Sequence, residues 1–417
     1  MTLATADKLM RRALEEQVFT AAVLSVTWRG EQIFLAPYGT LAGTGTAAVT
    51  ADTLFDLASL TKVAATTPCW LLLAAEAPGI LDQGLSRWFP HAPPDKASIT
   101  SRQLLAHAAG LPAWRPYYLL RTEKPRADFV RDLILAEPLQ YVPGQGCLYS
   151  DLGFMLLGFI LELESGMNLD RLAGEWIYKP LGLAEEMFFI AGAQNNVLSS
   201  VGMMPMESPR APPYKRGEES ACAPPLLKGG RRDIDSDERF DAPYGPDAAR
   251  RQIALTRHGE PPGLVNDLNS RALGGVAGHA GLFGTAGGLT ALANEILRSI
   301  KVATGIFDPD LTRVFCSPAA FSAGSTRALG FDMPSVENSS SGRLFSPNSF
   351  GHTGFTGTSL WMDVQRELTV VLLTNRVLMG ESDFRIKDLR PRVHDAVVAG
   401  ITGRAALAPS FRRPIRR

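Results

Sequence analysis

Cysteine is scarce: 417 residues hold four, Cys69, Cys147, Cys222 and Cys316, with no C-x-x-C pair among them. That spacing offers neither a disulfide framework nor a zinc site, and it fits reduced thiols in a reducing compartment. Net charge is absent too, 42 basic residues balancing 42 acidic ones. A balanced chain lacks the electrostatic footprint of a partner for nucleic acid or an anionic membrane. The basic end, Arg412, Arg413, Arg416 and Arg417, reads as a short solvated tail. No apolar run reaches the ~18–20 residues of a membrane span, so no transmembrane segment is expected. The first turns mix acids and bases and lack the basic-then-apolar order of a signal peptide. The expectation is a cytoplasmic protein, with a periplasmic or secreted one as the alternative where a leader has been removed. Three catalytic signatures are also missing: G-x-S-x-G, H-E-x-x-H and a phosphate loop. His107, His279 and His394 are scattered and read as packed or exposed side chains rather than ligands; no metal and no cofactor is expected.

What is present is ordinary globular composition, 45% hydrophobic and 20% charged, over a length that predicts about two to three domain-sized units. Residues 3–17 have helical period. Ala21–Trp28 is a β-rich run, followed by an Arg29-Gly30 turn and Gln32–Leu35, a hairpin signal. Gly39–Thr50 reads as a loop. From Ser59 to Ala75 a buried helix is expected, kinked or broken at Pro68. Thr100–Gln103 matches a capping box, and 127–137 and 151–166 are helical in period. Between Met203 and Pro262 prolines and charges cluster, predicting a long loop-rich insertion over about 200–262. Further on, Leu289–Ile300 reads as a helix, 343–350, 352–363 and 367–376 as strands with the last one central, Met379–Ser382 as a turn, and 388–402 as a final helix.

Three segments carry chemistry. In Ser59-Leu-Thr-Lys62, the only S-x-x-K in the chain, a helix starting at Ser59 places Lys62 on the same face. A serine hydroxyl is a weak nucleophile and needs a base. Lysine can serve only unprotonated, which asks for a downward pKa shift of about three units from desolvation or neighbouring charge. Chance alone places about one S-x-x-K in a chain this long, so the motif by itself reads sooner as a helix cap followed by a solvated lysine. Tyr149-Ser150-Asp151 precedes an apolar helix; Tyr149 could shuttle a proton, and the plain alternative is an N-cap beside a packed tyrosine. Gly351-His-Thr-Gly-Phe-Thr-Gly-Thr-Ser359 is a glycine-rich strand able to approach a ligand closely, or simply a bend.

Taken together, these segments resemble the three signature motifs of the penicillin-binding-protein and serine β-lactamase superfamily: S-x-x-K, then Tyr-x-Asn or Ser-x-Asn, then Lys-Thr-Gly or His-Thr-Gly. Phe55–Lys62 resembles the superfamily's nucleophile segment, Leu104–Pro112 a stretch of class C-like members and family VIII esterases, and Ala277–Thr285 a later glycine-rich segment. The likeness spans nearly all of the chain except about 200–260. It implies an α+β, β-lactamase/transpeptidase-like fold, with an antiparallel sheet flanked by helices formed from 1–70 and 270–417. A mostly helical lobe over 71–269 would complete it. It implies an acyl-enzyme on Ser59, Lys62 as base partner and Tyr149 as proton shuttle. The backbone N–H groups of Ser59 and Phe355 would form the oxyanion hole, and Asp151, His352, Thr353 and Gly354 would meet the substrate. Two departures stand out. Asp151 replaces the commoner asparagine and brings a negative charge towards Lys62. His352 replaces lysine and is expected to titrate near neutrality. Gly351–Leu360, Leu372–Arg376 and Val265–Gly275 resemble the MurNAc–L-alanine amidase branch, although Asn266-Asp267 stands where that branch has His-Asp. The expected activity is hydrolysis of an amide or ester in a peptidoglycan-derived fragment. The alternatives are a carboxylesterase, a β-lactamase or D-Ala peptidase, and a muropeptide- or β-lactam-binding sensor.

Overall fold

Alternation of side chains builds the main sheet. In β1 (Ala21–Trp28) and β8 (Leu368–Thr374) every residue but one is buried, so both faces of these strands must be covered. Leu24, Val26, Val370 and Leu372 join one apolar cluster, while Ala21, Val23, Val371 and Leu373 join the other. The order of the five antiparallel strands is β2 (Glu31–Gly39), β1, β8, β7 (Ser359–Asp363), β6 (Phe350–Thr353). Thus β8 is central, as its composition predicts. Arg29 and Gly30 both take positive φ, 54° and 82°, in the tight β1–β2 turn. The helices Ala4–Glu15 and Ile386–Thr402 cover one face through Met10, Val393 and Val397. The helix Ala286–Lys301 covers the other through Leu289, Leu292 and Ile296. This computed structural model describes residues 2–43, 45–120, 126–192, 251–302, 305–321 and 325–403. Most of the insertion expected at 200–262, and Cys222, lie outside the described residues.

Two strand expectations need correction. Residues 343–349 are irregular, only Phe350 of that stretch being in a strand. The single strand expected over 352–363 is a hairpin, β6 and β7 meeting at Gly354–Thr358, where Gly357 has φ 104°. Glycine there permits the reversal that period-two reading passes over. A second, three-stranded sheet of β3 (Phe55–Asp56), β5 (Leu282–Gly284) and β4 (Met187–Phe189) also escaped sequence reading because its strands are so short.

The segment after Ser59 does not break at Pro68. A 3₁₀ turn, Ala58–Leu60, leads to a π-helical turn, Lys62–Thr66, and then to the α-helix Thr67–Glu76, with Pro68 in its first turn. Proline is tolerated there because the donor it lacks is an orphan of the helix start. The carbonyl of Ala64, to which residue 68 would donate in a continuous α-helix, accepts instead from the Tyr178 hydroxyl at 3.0 Å. Ala58–Glu76 is apolar and long enough to cross a membrane by composition, but 83% of its most apolar window is buried inside the fold, which marks it as a core helix. The Thr100 capping box forms in full, and Ser150 caps the helix Asp151–Ser165.

Candidate active site

The turn that carries Ser59 is held from below by a buried carboxylate. Asp56 Oδ1 accepts from Ala58 N at 2.8 Å and Oδ2 from Asn266 N at 2.6 Å. Ala58 is pinned at φ 48°, a strained conformation for alanine that persists because its surroundings over-determine it. This turn delivers Ser59. Among the described residues, neither the Ser59 nor the Phe355 backbone N–H has a hydrogen-bond partner. Burial pushes the Asp56 carboxyl up to about 6, against the two backbone donors.

Ser59 Oγ lies 3.1 Å from Lys62 Nζ and 2.8 Å from the Tyr149 hydroxyl. The Lys62 side chain is fully buried. Its Nζ also donates to Asp151 Oδ1 at 2.7 Å and to the His279 carbonyl at 2.9 Å. Three acceptors match the three protons of an ammonium. Burial nonetheless holds Lys62 below the ordinary lysine range, with the Asp151 charge opposing the shift. Burial, with the Asp151 charge, pushes the Tyr149 phenol well up, so at neutral pH it keeps its proton. Its ring lies 4.8 Å from His107 and 5.8 Å from His352, with the Arg327 guanidinium 5.5 Å away.

The third motif reaches the site on β6. His352 is buried and its Nδ1 hydrogen-bonds the Thr353 carbonyl at 2.8 Å. Burial and the nearby Lys62 and Arg327 charges hold its pKa well below the ordinary histidine value. The expectation that His352 titrates near neutrality is therefore corrected: the ring is neutral at pH 7 because it is dry and surrounded by cations. Its Nε2 has no hydrogen-bond partner among the described residues and sits 4.0 Å from Asp332 Oδ1, which is ion-paired to Arg327. Gly354 touches the Ser59 turn so closely that a Cβ would lie 2.6 Å from the Leu57 carbonyl oxygen. Thr356 and Thr358 side chains donate to the carbonyls of Asp56 and Leu57 at 2.8 and 3.1 Å, stitching the hairpin to that turn.

Motif reading thus named Ser59, Lys62, Tyr149, Asp151, His352, Thr353, Gly354 and Phe355, and the fold brings these segments together. It missed the supports. His107, read as a scattered histidine, accepts from Ser150 N through Nδ1 at 3.0 Å and backs the Tyr149 ring. His279 offers its carbonyl to Lys62, and its ring nitrogen Nε2 meets Asp267 Oδ1 at 2.9 Å. Both lie in stretches already singled out, Leu104–Pro112 and Ala277–Thr285, but nothing local in the sequence ties them to Ser59. Among the described residues no cluster of three metal-ligating side chains occurs.

The family model described as Beta-lactamase matches residues 6–393. A protein of Escherichia coli strain K12, provisionally named a D-alanyl-D-alanine carboxypeptidase, is 30% identical over 346 residues, covering 78% of this chain and 70% of that protein. Among solved structures, a penicillin-binding protein homologue from Caulobacter crescentus superposes with a TM-score of 0.64 at 16% identity, over 95% of this chain and 97% of that one. EstCE1, described as a hydrolase with promiscuous acyltransferase activity, superposes with a TM-score of 0.62 at 22% identity, over 93% and 98%. These two share the fold.

Proposed function

The chain belongs to the Beta-lactamase family of serine hydrolases, and from that premise we propose that it opens an amide of a peptidoglycan-derived fragment through an acyl-enzyme on Ser59. The observation carrying this reading is one hydroxyl held at 3.1 Å by a buried lysine and at 2.8 Å by a tyrosine. In the resting arrangement Lys62 and Tyr149 both donate to Ser59 Oγ. Lys62 becomes an acceptor in the state that burial favours, in which its ammonium has given up a proton to solvent against the pull of Asp151, 2.7 Å away. Ser59 Oγ then attacks the carbonyl carbon while its proton goes to Lys62. The tetrahedral oxyanion lies between the free N–H groups of Ser59 and Phe355. The C–N bond breaks as the leaving amine takes a proton through Tyr149, and water later hydrolyses the Ser59 ester, restoring the hydroxyl. His352, Thr353 and Gly354 line the substrate.

For the bond cleaved we favour the lactyl amide between a MurNAc sugar and L-alanine. Arg327 is tied to Asp332 and His352 is neutral, which leaves a terminal carboxylate poorly served. An internal amide needs no such partner. The second reading, removal of a terminal D-alanine, is favoured by the name of the Escherichia coli relative.

One substrate separates the two. A MurNAc-pentapeptide ending in D-Ala-D-Ala is incubated with wild type and with Ser59→Ala, and the products are weighed. Free sugar plus intact peptide is expected, with repeated turnover and nothing from the variant. Release of free D-alanine supports the second reading. A stable adduct without turnover points to a sensor. Neither products nor covalent mass on Ser59 with a fluorophosphonate overturns the proposal.

A further inference from the structure

The helix Ile386–Thr402 lies behind the sheet and carries no residue of the three motifs. Yet it sends one buried cation towards the site. Arg390 is 7% exposed, and its guanidinium donates only to carbonyls of the β6–β7 hairpin: Nη2 to Gly354 at 2.5 Å and to Thr358 at 2.9 Å, and Nε to Gly357 at 3.3 Å. No carboxylate pairs with it among the described residues. A buried cation without a counter-charge is costly, and a merely structural clamp of the same shape could be built from neutral donors. Burial lowers Arg390 to about 9, still charged at neutral pH.

The Gly354 carbonyl belongs to the same planar peptide as the Phe355 N–H. In a trans peptide the two bonds point in opposite directions. Holding the oxygen from behind therefore aims the N–H forwards. A cation on the oxygen also polarises the amide and strengthens its donor end, since linked hydrogen bonds reinforce one another. Arg376 holds the next carbonyl, Nε to Phe355 O at 2.8 Å, and lies 4.4 Å from the Phe355 ring, so this residue is fixed at both ends.

We propose that Arg390 is a positioning residue for the oxyanion hole: from behind the sheet it orients the Gly354–Phe355 peptide and lends it positive charge that favours the tetrahedral anion over the bound substrate. This rests on the reading of Phe355 N–H as an oxyanion donor. Its signature is a difference between ground state and transition state. Substrate binding precedes the anion and gains little from the charge, whereas the anion gains most.

The test uses Arg390→Gln and Arg390→Lys in the full chain, with a short-chain nitrophenyl ester as substrate and phenylboronic acid as a probe that forms a tetrahedral anion on Ser59. For Arg390→Gln, kcat is expected to fall about 10–100-fold with KM within about threefold, and boronate affinity to fall with kcat. Arg390→Lys keeps the charge without the fork and should lie between Gln and wild type. Melting temperatures run in parallel; where the Gln variant does not fold, the Lys variant decides by its own kcat and boronate affinity. Raised KM with unchanged kcat, or unchanged boronate affinity in a folded variant, overturns the role of Arg390. Failure of wild type to turn over the ester or to bind the boronate overturns instead the reading of Ser59 on which it rests.

Discussion

Lys62 makes hydrogen bonds to three acceptors, and only one of them carries a formal charge. Removing that charge while keeping an acceptor oxygen isolates its effect. In Asp151→Asn, burial still lowers the Lys62 pKa but the opposing attraction is gone, so the pKa falls further. A neutral lysine then persists to lower pH. The acid limb of the kcat/KM profile should move down by about one unit or more, read on any turned-over ester. An acid limb that stays in place removes Lys62 as the base. At this scale the sequence was informative where residues sit in motifs: Ser59, Lys62, Tyr149 and Asp151 are named by the three motifs taken together and the family they resemble, no one motif deciding alone. It was silent on Asp56, His107, His279 and Arg390. Asp56, His107 and Arg390 meet backbone groups up to 210 residues away, as with Asp56 and Asn266 N, and a backbone group has no side-chain signature to recognise; His279 serves Lys62 through its own carbonyl, which any residue carries.

Elements that start at a cap or form a continuous β-rich run were legible too. Ser150 and Thr100 cap where expected, and β1 has the bounds its composition marks. The π-helical turn was not, because it depends on a distant hydroxyl. Tyr178 is buried and donates to the Ala64 carbonyl. Tyr178→Phe leaves that carbonyl dry and unpaired, at a cost of about 1–3 kcal/mol. Urea unfolding should show the loss as a lower midpoint with unchanged slope. Because the π turn begins at Lys62, ester turnover in the same variant reports whether the turn also holds the amine in register. The hairpin of β6 and β7 escaped for the opposite reason. Its first strand, Phe-Gly-His-Thr, is too short and too mixed to show a period of its own, and only glycine, at 354 and 357, reveals where the chain folds back.

Across the whole molecule, acid should unfold this protein through its histidines. Burial holds His107 and His352 well below the ordinary value, and His394 at about 4. Each binds a proton in the unfolded chain before it does in the folded one, so each contributes stability at neutral pH that is lost as pH falls below about 6.5. For His394 the loss reaches about 3 kcal/mol by pH 4. Asp56 acts the other way. Its raised pKa, about 6, makes the folded state bind the proton first, so its contribution grows as pH falls from 6 towards 4. Asp395, also raised by burial, acts with Asp56, and three histidines outweigh these two carboxyls. Melting temperature should therefore drop from pH 7 to pH 4.5, and more steeply in Asp56→Asn, as calorimetry would show. A flat profile contradicts the buried, neutral histidines.

The central sheet joins Ala22 to Thr374 and so draws on both halves of the chain. During translation the nucleophile segment leaves the ribosome long before β6, β7 and β8 exist to press against it. Until those strands arrive, Ser59 has no Phe355 beside it and no Arg390 behind. On the mechanism proposed above, a chain stopped short of β6 lacks one donor of the oxyanion hole and the cation behind it.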